Sequence, residues 1–382
     1  MKKVILCFLL IVSTVFSQKN SDLFNSTKLG ESLELTIELP DSYQKSVDKK
    51  YPLLILLDGD YLFDPFSGAL KYGSYWQDLP ETIVVGININ KNIEREDTYS
   101  YDENQGIPNG RGAKYFEFIG IELIPYLEKK FRIAPFKIIA GHDLSAGFLN
   151  FFLYKENPLF NAYISLSPEF PINMETILPQ RLSAIKQPLF YYQAIADGDV
   201  NEIKDATKKI DEALKTSANP AINYIFDEFK NTSHYSMVLY AIPNALYQIF
   251  DNFKPITSAD YDKILLLKEG YVTYLKKKYI AINKSLGIDM KIRLNDIKAI
   301  ETAIVKNKSF NELDELSDLA RKNYPKSMLA DYEMALLYEN TGDNKKAVKY
   351  YQSAFILNEI GDLTKDMMME KVTELKKGLP KK

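Results

Sequence analysis

The 382-residue sequence predicts an α/β protein: a mainly parallel sheet with helices on both faces, followed by an all-helical C-terminal region. Three patterns carry that expectation. Runs around 52–57, 83–87, 136–140, 161–166 and 189–196 are continuously apolar, as central parallel strands covered on both faces are. They alternate with helix-like segments near 114–130, 145–155, 202–215 and 243–252, the order of a β-α succession. After Phe253 the strand signals cease and helical periodicity takes over.

The elements follow in chain order. Met1-Lys-Lys, the apolar stretch Val4 to Val12 and the small-residue pattern Val15-Phe-Ser17 have the anatomy of a secretory signal peptide. The mature chain is expected to start near Gln18 and to be exported, periplasmic or extracellular. The apolar stretch is shorter than the roughly 20 residues that span a bilayer, so no membrane span is expected. Cys7, the only cysteine, leaves with the leader, and with it any disulfide or cysteine metal site. Glu31 to Pro40 alternates apolar and polar residues, the period of a half-buried strand. Ile203, Ala206, Ile210 and Leu214 have the spacing of an amphipathic helix. Tyr72, Tyr75 and Trp76 are expected to pack into the core rather than to line a pocket.

Beyond Phe253, helices are predicted over Tyr261 to Ile282, Leu294 to Lys306, Phe310 to Asn323 and Leu329 to Asn340, punctuated by Pro325 and Gly342. Ala330 to Leu357 resembles a tetratricopeptide repeat, with Ala335, Tyr338, Gly342-Asp343, Ala347, Tyr351, Ala354 and Leu357 at that motif's small and aromatic positions. The expected organisation is a leader at 1–17, a sheet domain at 18–253 and a tetratricopeptide-like region at 254–382.

Apolar residues make up 46% and charged residues 26%, ordinary for a soluble globular chain. The net charge is −3, and two units lower without Lys2 and Lys3, which gives no electrostatic reason for nucleic acid or an anionic membrane as partner. Asp197-x-Asp199-x-Asn201 carries Glu202 and Lys208 where a calcium loop needs Gly and Glu. Two histidines and no mature cysteine leave no zinc set. No metal and no cofactor is expected.

The chemistry concentrates at Gly141-His142-Asp143-Leu144-Ser145, which follows the apolar run Phe136 to Ala140 and precedes the helix-compatible segment Ala146 to Tyr154. That is the strand, sharp turn, helix context of a nucleophile elbow, which needs small residues two before and two after its apex. Gly141 and Ser145 meet that need around Asp143, with Ser145 read as a small packing residue. The only other histidine is His234, so any base must be His234. Between them the strand-like Phe190 to Ala196 ends in Asp197-Gly198-Asp199. The order of elbow residue, acid and histidine is that of α/β-hydrolases. Asp199 is preferred as the acid that orients His234, over Asp197 and Glu202.

From Leu35 to about Phe253 these residues resemble the putative-esterase family of α/β-hydrolases, which includes enterochelin-type esterases. Tyr51 to Gly59 is similar to the family's strand and oxyanion-hole loop, and Ile83 to Ile87 to the strand after it. Arg95-Glu-Asp-Thr98 is similar to its Arg-x-Asp-hydroxyl motif, and Phe116 to Phe131 to the helix before the elbow. Phe160 to Pro168 resembles the following strand, and His234-Tyr-Ser the histidine motif. The resemblance implies an ester substrate and an oxyanion hole formed by the backbone N–H groups of Leu144 and Asp60. It leaves Arg95 either gripping an acidic substrate, or offsetting repulsion between Asp60 and Asp143, or holding Asp97 and the 88–112 loop in place.

The elbow departs from the family, whose members carry Ser where this chain has Asp143 and usually Gly where it has Ser145. A Gly-His-Asp elbow resembles that of haloalkane dehalogenases and epoxide hydrolases, which attack with a carboxylate and release the product with a His-activated water. Two expectations follow: a hydrolase acting on an ester or related acyl bond, or an inactive scaffold that recruits a protein partner through its helical region.

Overall fold

The structure is a computed structural model that describes residues 19–217 and 219–377; the expected leader lies outside the described residues. Contacts divide the chain into two compact units: Leu70–Pro80, Ala134–Phe136 and the residues from Leu246 onward form one, and the remaining residues the other.

The larger unit is built on an eight-stranded sheet. Its strands are β1 (Lys19–Ser26), β2 (Glu31–Glu38), β3 (Tyr51–Leu56), β4 (Ile83–Ile87), β7 (Ile133–His142), β8 (Ala162–Leu166), β9 (Leu189–Ala196) and β10 (Ile222–Phe229). A two-residue pair, β5 (Tyr101–Asp102) and β6 (Ile107–Pro108), stands apart from it. The sheet order is β1-β2-β4-β3-β7-β8-β9-β10, with β1, β2 and β4 paired antiparallel in turn and every pair from β4 to β10 parallel. β3, β4 and β8 are buried at every position, so both faces of the sheet centre are covered, and their unbroken apolar character is the reason. β2 alternates as a half-covered strand does.

The helices among these strands are α1 (Gly59–Tyr75), α2 (Arg95–Thr98), α3 (Gly110–Glu117), α4 (Ile124–Lys130), α5 (Leu144–Phe148), α6 (Met174–Ala184), α7 (Asn201–Thr216) and α8 (Met237–Ile249). The fold is the α/β arrangement that the sequence predicts, with local departures that have causes. The helix expected over 114–130 is interrupted by a wider π-helical turn at Phe118–Leu123. Pro125 follows at once and has no N–H to close an ordinary turn. The helix expected from 145 tightens into a 3-10 turn at Leu149–Tyr154, where Asn150 Nδ2 donates to the carbonyls of Ala146 (2.8 Å) and Gly147 (3.1 Å) and competes with the backbone for them.

The helical unit carries α9 (Ser258–Leu265), α10 (Tyr271–Leu286), α11 (Leu294–Lys306), α12 (Glu312–Asn323), α13 (Leu329–Asn340), α14 (Asn344–Phe355) and α15 (Lys365–Lys377). The single helix expected from Tyr261 to Ile282 is broken at Gly270, whose φ of 86° only glycine adopts without strain. Leu275, Ile300, Leu316, Ala335 and Tyr351 belong to one buried core, with α12, α13, α14 and α15 packed in succession. In the same unit Tyr72, Tyr75 and Trp76 are exposed, contrary to the expectation of core packing. No helix among the described residues is long and apolar enough to cross a membrane.

Candidate active site

The site lies where the parallel strands end. β3 and β7 are neighbours, with Leu56 paired to Ala140, so the residues after both strands emerge side by side. At the end of β7 the chain turns sharply at Asp143, with φ 63° and ψ −122°, and enters α5. Such a backbone costs about 1–3 kcal/mol in a residue other than glycine and persists only where its surroundings enforce it. Here Asp143 N–H donates to Leu166 O (3.0 Å), and Asp143 O accepts from Gly147 N–H (3.1 Å) and Glu169 N–H (3.1 Å). Gly141 is obligatory: a Cβ there would lie 2.6 Å from Ser145 Oγ and 2.7 Å from its carbonyl carbon.

β9 and β10 run parallel, pairing Ala196 with Phe229, and deliver the acid and the histidine from adjacent strand ends. The two loops meet at Gly198, whose N–H donates to Thr232 O at 2.9 Å and where a Cβ would stand 2.9 Å from Ser233 Cα. That approach brings Asp199 Oδ1 within 2.7 Å of His234 Nδ1, while Nε2 lies 3.9 Å from Asp143 Oδ1. The other oxygen of Asp199 accepts from Ser167 Oγ (2.8 Å) and Ala196 N–H (2.7 Å). Burial alone would raise the Asp199 pKa; the bonds from His234, Ala196 and Ser167 outweigh it and hold the carboxyl below its usual value. Asp197 turns elsewhere, accepting Asn231 N–H at 2.8 Å.

Arg95, at the start of α2, joins two carboxylates. Nη1 donates to Asp143 Oδ2 (2.7 Å); Nη2 donates to Asp58 Oδ2 (2.7 Å) and to the His142 carbonyl (2.7 Å); Nε donates to Asp58 Oδ1 (3.3 Å). Burial acts to lower the Arg95 pKa, but Asp58 and Asp143 more than offset it and keep the guanidinium charged. Asp58 is fully buried and also accepts from Tyr99 OH (2.9 Å) and Ser145 Oγ (2.5 Å). Ser145 is therefore more than a small residue: its hydroxyl ties the elbow to Asp58 in the turn after β3 and accepts His142 N–H at 2.8 Å.

The sequence reading did not single out Asp58, Tyr61 or Tyr99. A signal was available for Asp58, a carboxylate that directly follows a run of buried apolar residues. Of the expected oxyanion donors, Leu144 opens α5 and Asp60 lies in the first turn of α1, where N–H groups have no intrahelical acceptor. The Asp60 carboxylate accepts Ile89 N–H at 2.8 Å. Glu169 borders the same region, its carboxyl raised by burial and then by the charge of Asp143. Among the described residues no group of three or more His, Cys, Asp and Glu side chains is gathered to hold a metal ion.

A mainly parallel sheet that carries an elbow, an acid and a histidine after its strands defines a protein of the α/β-hydrolase class. Residues 26–180 match the putative esterase family. A protein from Capnocytophaga ochracea, described as uncharacterised, is 30% identical over 94% of this chain and 100% of its own, with a TM-score of 0.84. This chain belongs to the same family. An IroE-like serine hydrolase from Shewanella oneidensis shares the fold at 21% identity, over 80% of this chain and 99% of its own, with a TM-score of 0.62. The BES protein from Bacillus cereus does so at 20% identity, over 65% and 98%, with a TM-score of 0.52. No curated protein matches the chain.

Proposed function

We propose that the protein hydrolyses an ester or related acyl bond, with Asp143 as nucleophile and His234, oriented by Asp199, as acid and base. The observation that carries this reading is the division of labour on His234. Nδ1 is held by Asp199 at 2.7 Å, while Nε2 faces Asp143 at 3.9 Å, beyond direct hydrogen-bond reach and close enough for one water beside the pair to bond to both.

In the first step Asp143 Oδ1 attacks the acyl carbon, and the oxyanion is met by the N–H groups of Leu144 and Asp60. The C–O bond breaks, and the alcohol leaves with the proton of the His234 imidazolium. This forms an anhydride between the substrate acyl group and Asp143. Neutral His234 then takes a proton from water as its oxygen attacks the anhydride, which restores the Asp143 carboxylate and the imidazolium and releases the acid. The sum is ester plus water giving alcohol plus acid.

The test uses an activated aryl ester, whose leaving group needs no proton. His234→Ala should accumulate an acyl adduct on the Asp143 peptide, visible by mass spectrometry, and Asp143→Asn should form none. A native protein inert on such esters, with no adduct in His234→Ala, removes this reading.

The 2.7 Å bond from Arg95 to Asp143 favours a second reading, a binding scaffold whose elbow carboxylate is committed to an ion pair. On that reading the native protein is inert and Asp143→Ser gains esterase turnover, or gains none where the scaffold only binds. The proposal extends to export, supported by the leader-like first 17 residues and tested by an intact mass beginning at Gln18. It also gives the tetratricopeptide-like segment Ala330 to Leu357 a protein partner.

A further inference from the structure

His142, the second of only two histidines, ends β7 directly before the elbow residue and is 1% exposed. Its Nε2 lies 3.2 Å from the backbone carbonyl oxygen of His234, and its Nδ1 3.1 Å from the Tyr61 hydroxyl. The two imidazole rings are 4.4 Å apart. A carbonyl oxygen can only accept, so Nε2 carries the proton. Burial, then the charge of His234, push the His142 pKa down to about 4, so the ring is neutral near pH 7 and Nδ1 accepts from Tyr61. Tyr61 in turn lies 3.3 Å from Arg95 Nη2 and 3.0 Å from Asp58 Oδ2. Giving its one proton to Nδ1, the Tyr61 hydroxyl accepts from Arg95 Nη2, so the chain of hydrogen bonds runs from Arg95 through Tyr61 and His142 to the main chain of His234.

We propose that His142 is a positioning residue, locked as the Nε2–H tautomer, which grips the His234 carbonyl and sets the reach of the His234 ring toward Asp143. The two rings then donate from opposite nitrogens: His234 from Nδ1 to Asp199, and His142 from Nε2 to the His234 carbonyl. The catalytic consequence rests on the function proposed above, whereas the tautomers and the His234 geometry do not.

With two histidines in the chain, nitrogen-15 histidine labelling gives one signal set for each ring. The native protein should show a proton on Nδ1 of His234, whether that ring is neutral or charged, and a neutral Nε2–H imidazole on His142 throughout the neutral pH range. His142→Gln keeps an amide N–H within reach of the carbonyl and should preserve the His234 titration and kcat. His142→Leu keeps none; it should shift the His234 titration and lower kcat on the order of tenfold or more with KM little changed. If His142→Leu does not fold, Tyr61→Phe serves instead, since loss of the hydroxyl should raise the Nδ1–H population of His142. An Nδ1–H tautomer for native His142, or a leucine variant with native His234 titration, overturns the proposal. Inertness toward esters with the tautomers as stated removes the catalytic reading alone.

Discussion

Arg95→Met removes the cation shared by two carboxylates, and its cost can be worked from the site. Asp58 is fully buried and loses donors at 2.7 and 3.3 Å, keeping the hydroxyls of Tyr99 at 2.9 Å and Ser145 at 2.5 Å. Breaking a buried ion pair from one side costs about 3–5 kcal/mol. The remaining donors, with the Tyr61 hydroxyl also within reach at 3.0 Å, and a guanidinium still 26% exposed, place this case at the lower end, about 3 kcal/mol. Asp143→Asn removes only the outer carboxylate charge and should cost about 1.5–2 kcal/mol, the lower part of the range for a hydrogen bond to a charged group, because the amide oxygen can still accept from Arg95. Adding Asp58→Asn to Arg95→Met should recover part of the loss, as contacting residues couple by about 0.5–3 kcal/mol. Native-state hydrogen exchange of β3 and β7 amides in rising urea reads this directly. A loss below about 1 kcal/mol, or equal losses for Arg95→Met and Asp143→Asn, would refute the assignment of Arg95 as the anchor of a buried charge.

Two further outcomes follow from buried carboxylates. In Asp199→Asn the amide keeps its oxygen toward Ala196 N–H and Ser167 and turns its NH2 toward His234, favouring the wrong imidazole tautomer; kcat should fall by about 10³–10⁴, measured on an activated ester with folding checked by circular dichroism, and a loss under tenfold would count against it. In native protein the depressed Asp199 pKa means that its contribution to stability is present above the unfolded carboxylate pKa and is lost only as pH falls through the lower folded value. Glu333 on α13 is fully buried, and burial followed by the nearby charge of Glu301 raises its pKa well above the usual range. Its contribution is therefore full below the unfolded pKa and declines as pH rises toward the folded one. Glu333→Gln should flatten that decline and gain about 1–3 kcal/mol at neutral pH, read as melting temperature against pH; an unchanged slope would contradict it.

How much of this the sequence disclosed depends on the range of the interaction. The central strands were legible because parallel strands covered on both faces must be apolar throughout. β1, the polar run Lys19 to Ser26, escaped because an edge strand is specified by its pairing with β2 rather than by its own pattern. The elbow was legible because close strand–helix approach demands Gly141, a local steric rule. Asp199 and His234 could be singled out because each follows a strand, and in space their side chains meet. The cluster around Asp58 was not legible: Ser145 reaches Asp58 across 87 residues and Tyr99 across 41, and no periodicity records such a contact. The break at Gly270 was missed because an isolated glycine is tolerated inside a helix and only its left-handed backbone reveals the stop.

The sharing of one guanidinium between Asp58 and Asp143 also constrains how position 143 can be altered. A serine there would restore a hydroxyl but leave Nη1 of Arg95 without its counter-charge, beside an opening the size of the missing carboxylate. Buffer chloride, or the acid product of an ester, could settle in that opening and act as an inhibitor. Reversion at the elbow is thus a two-site change, and Asp143→Ser has to be compared with the pair Asp143→Ser/Arg95→Met, with and without chloride, before its activity is interpreted.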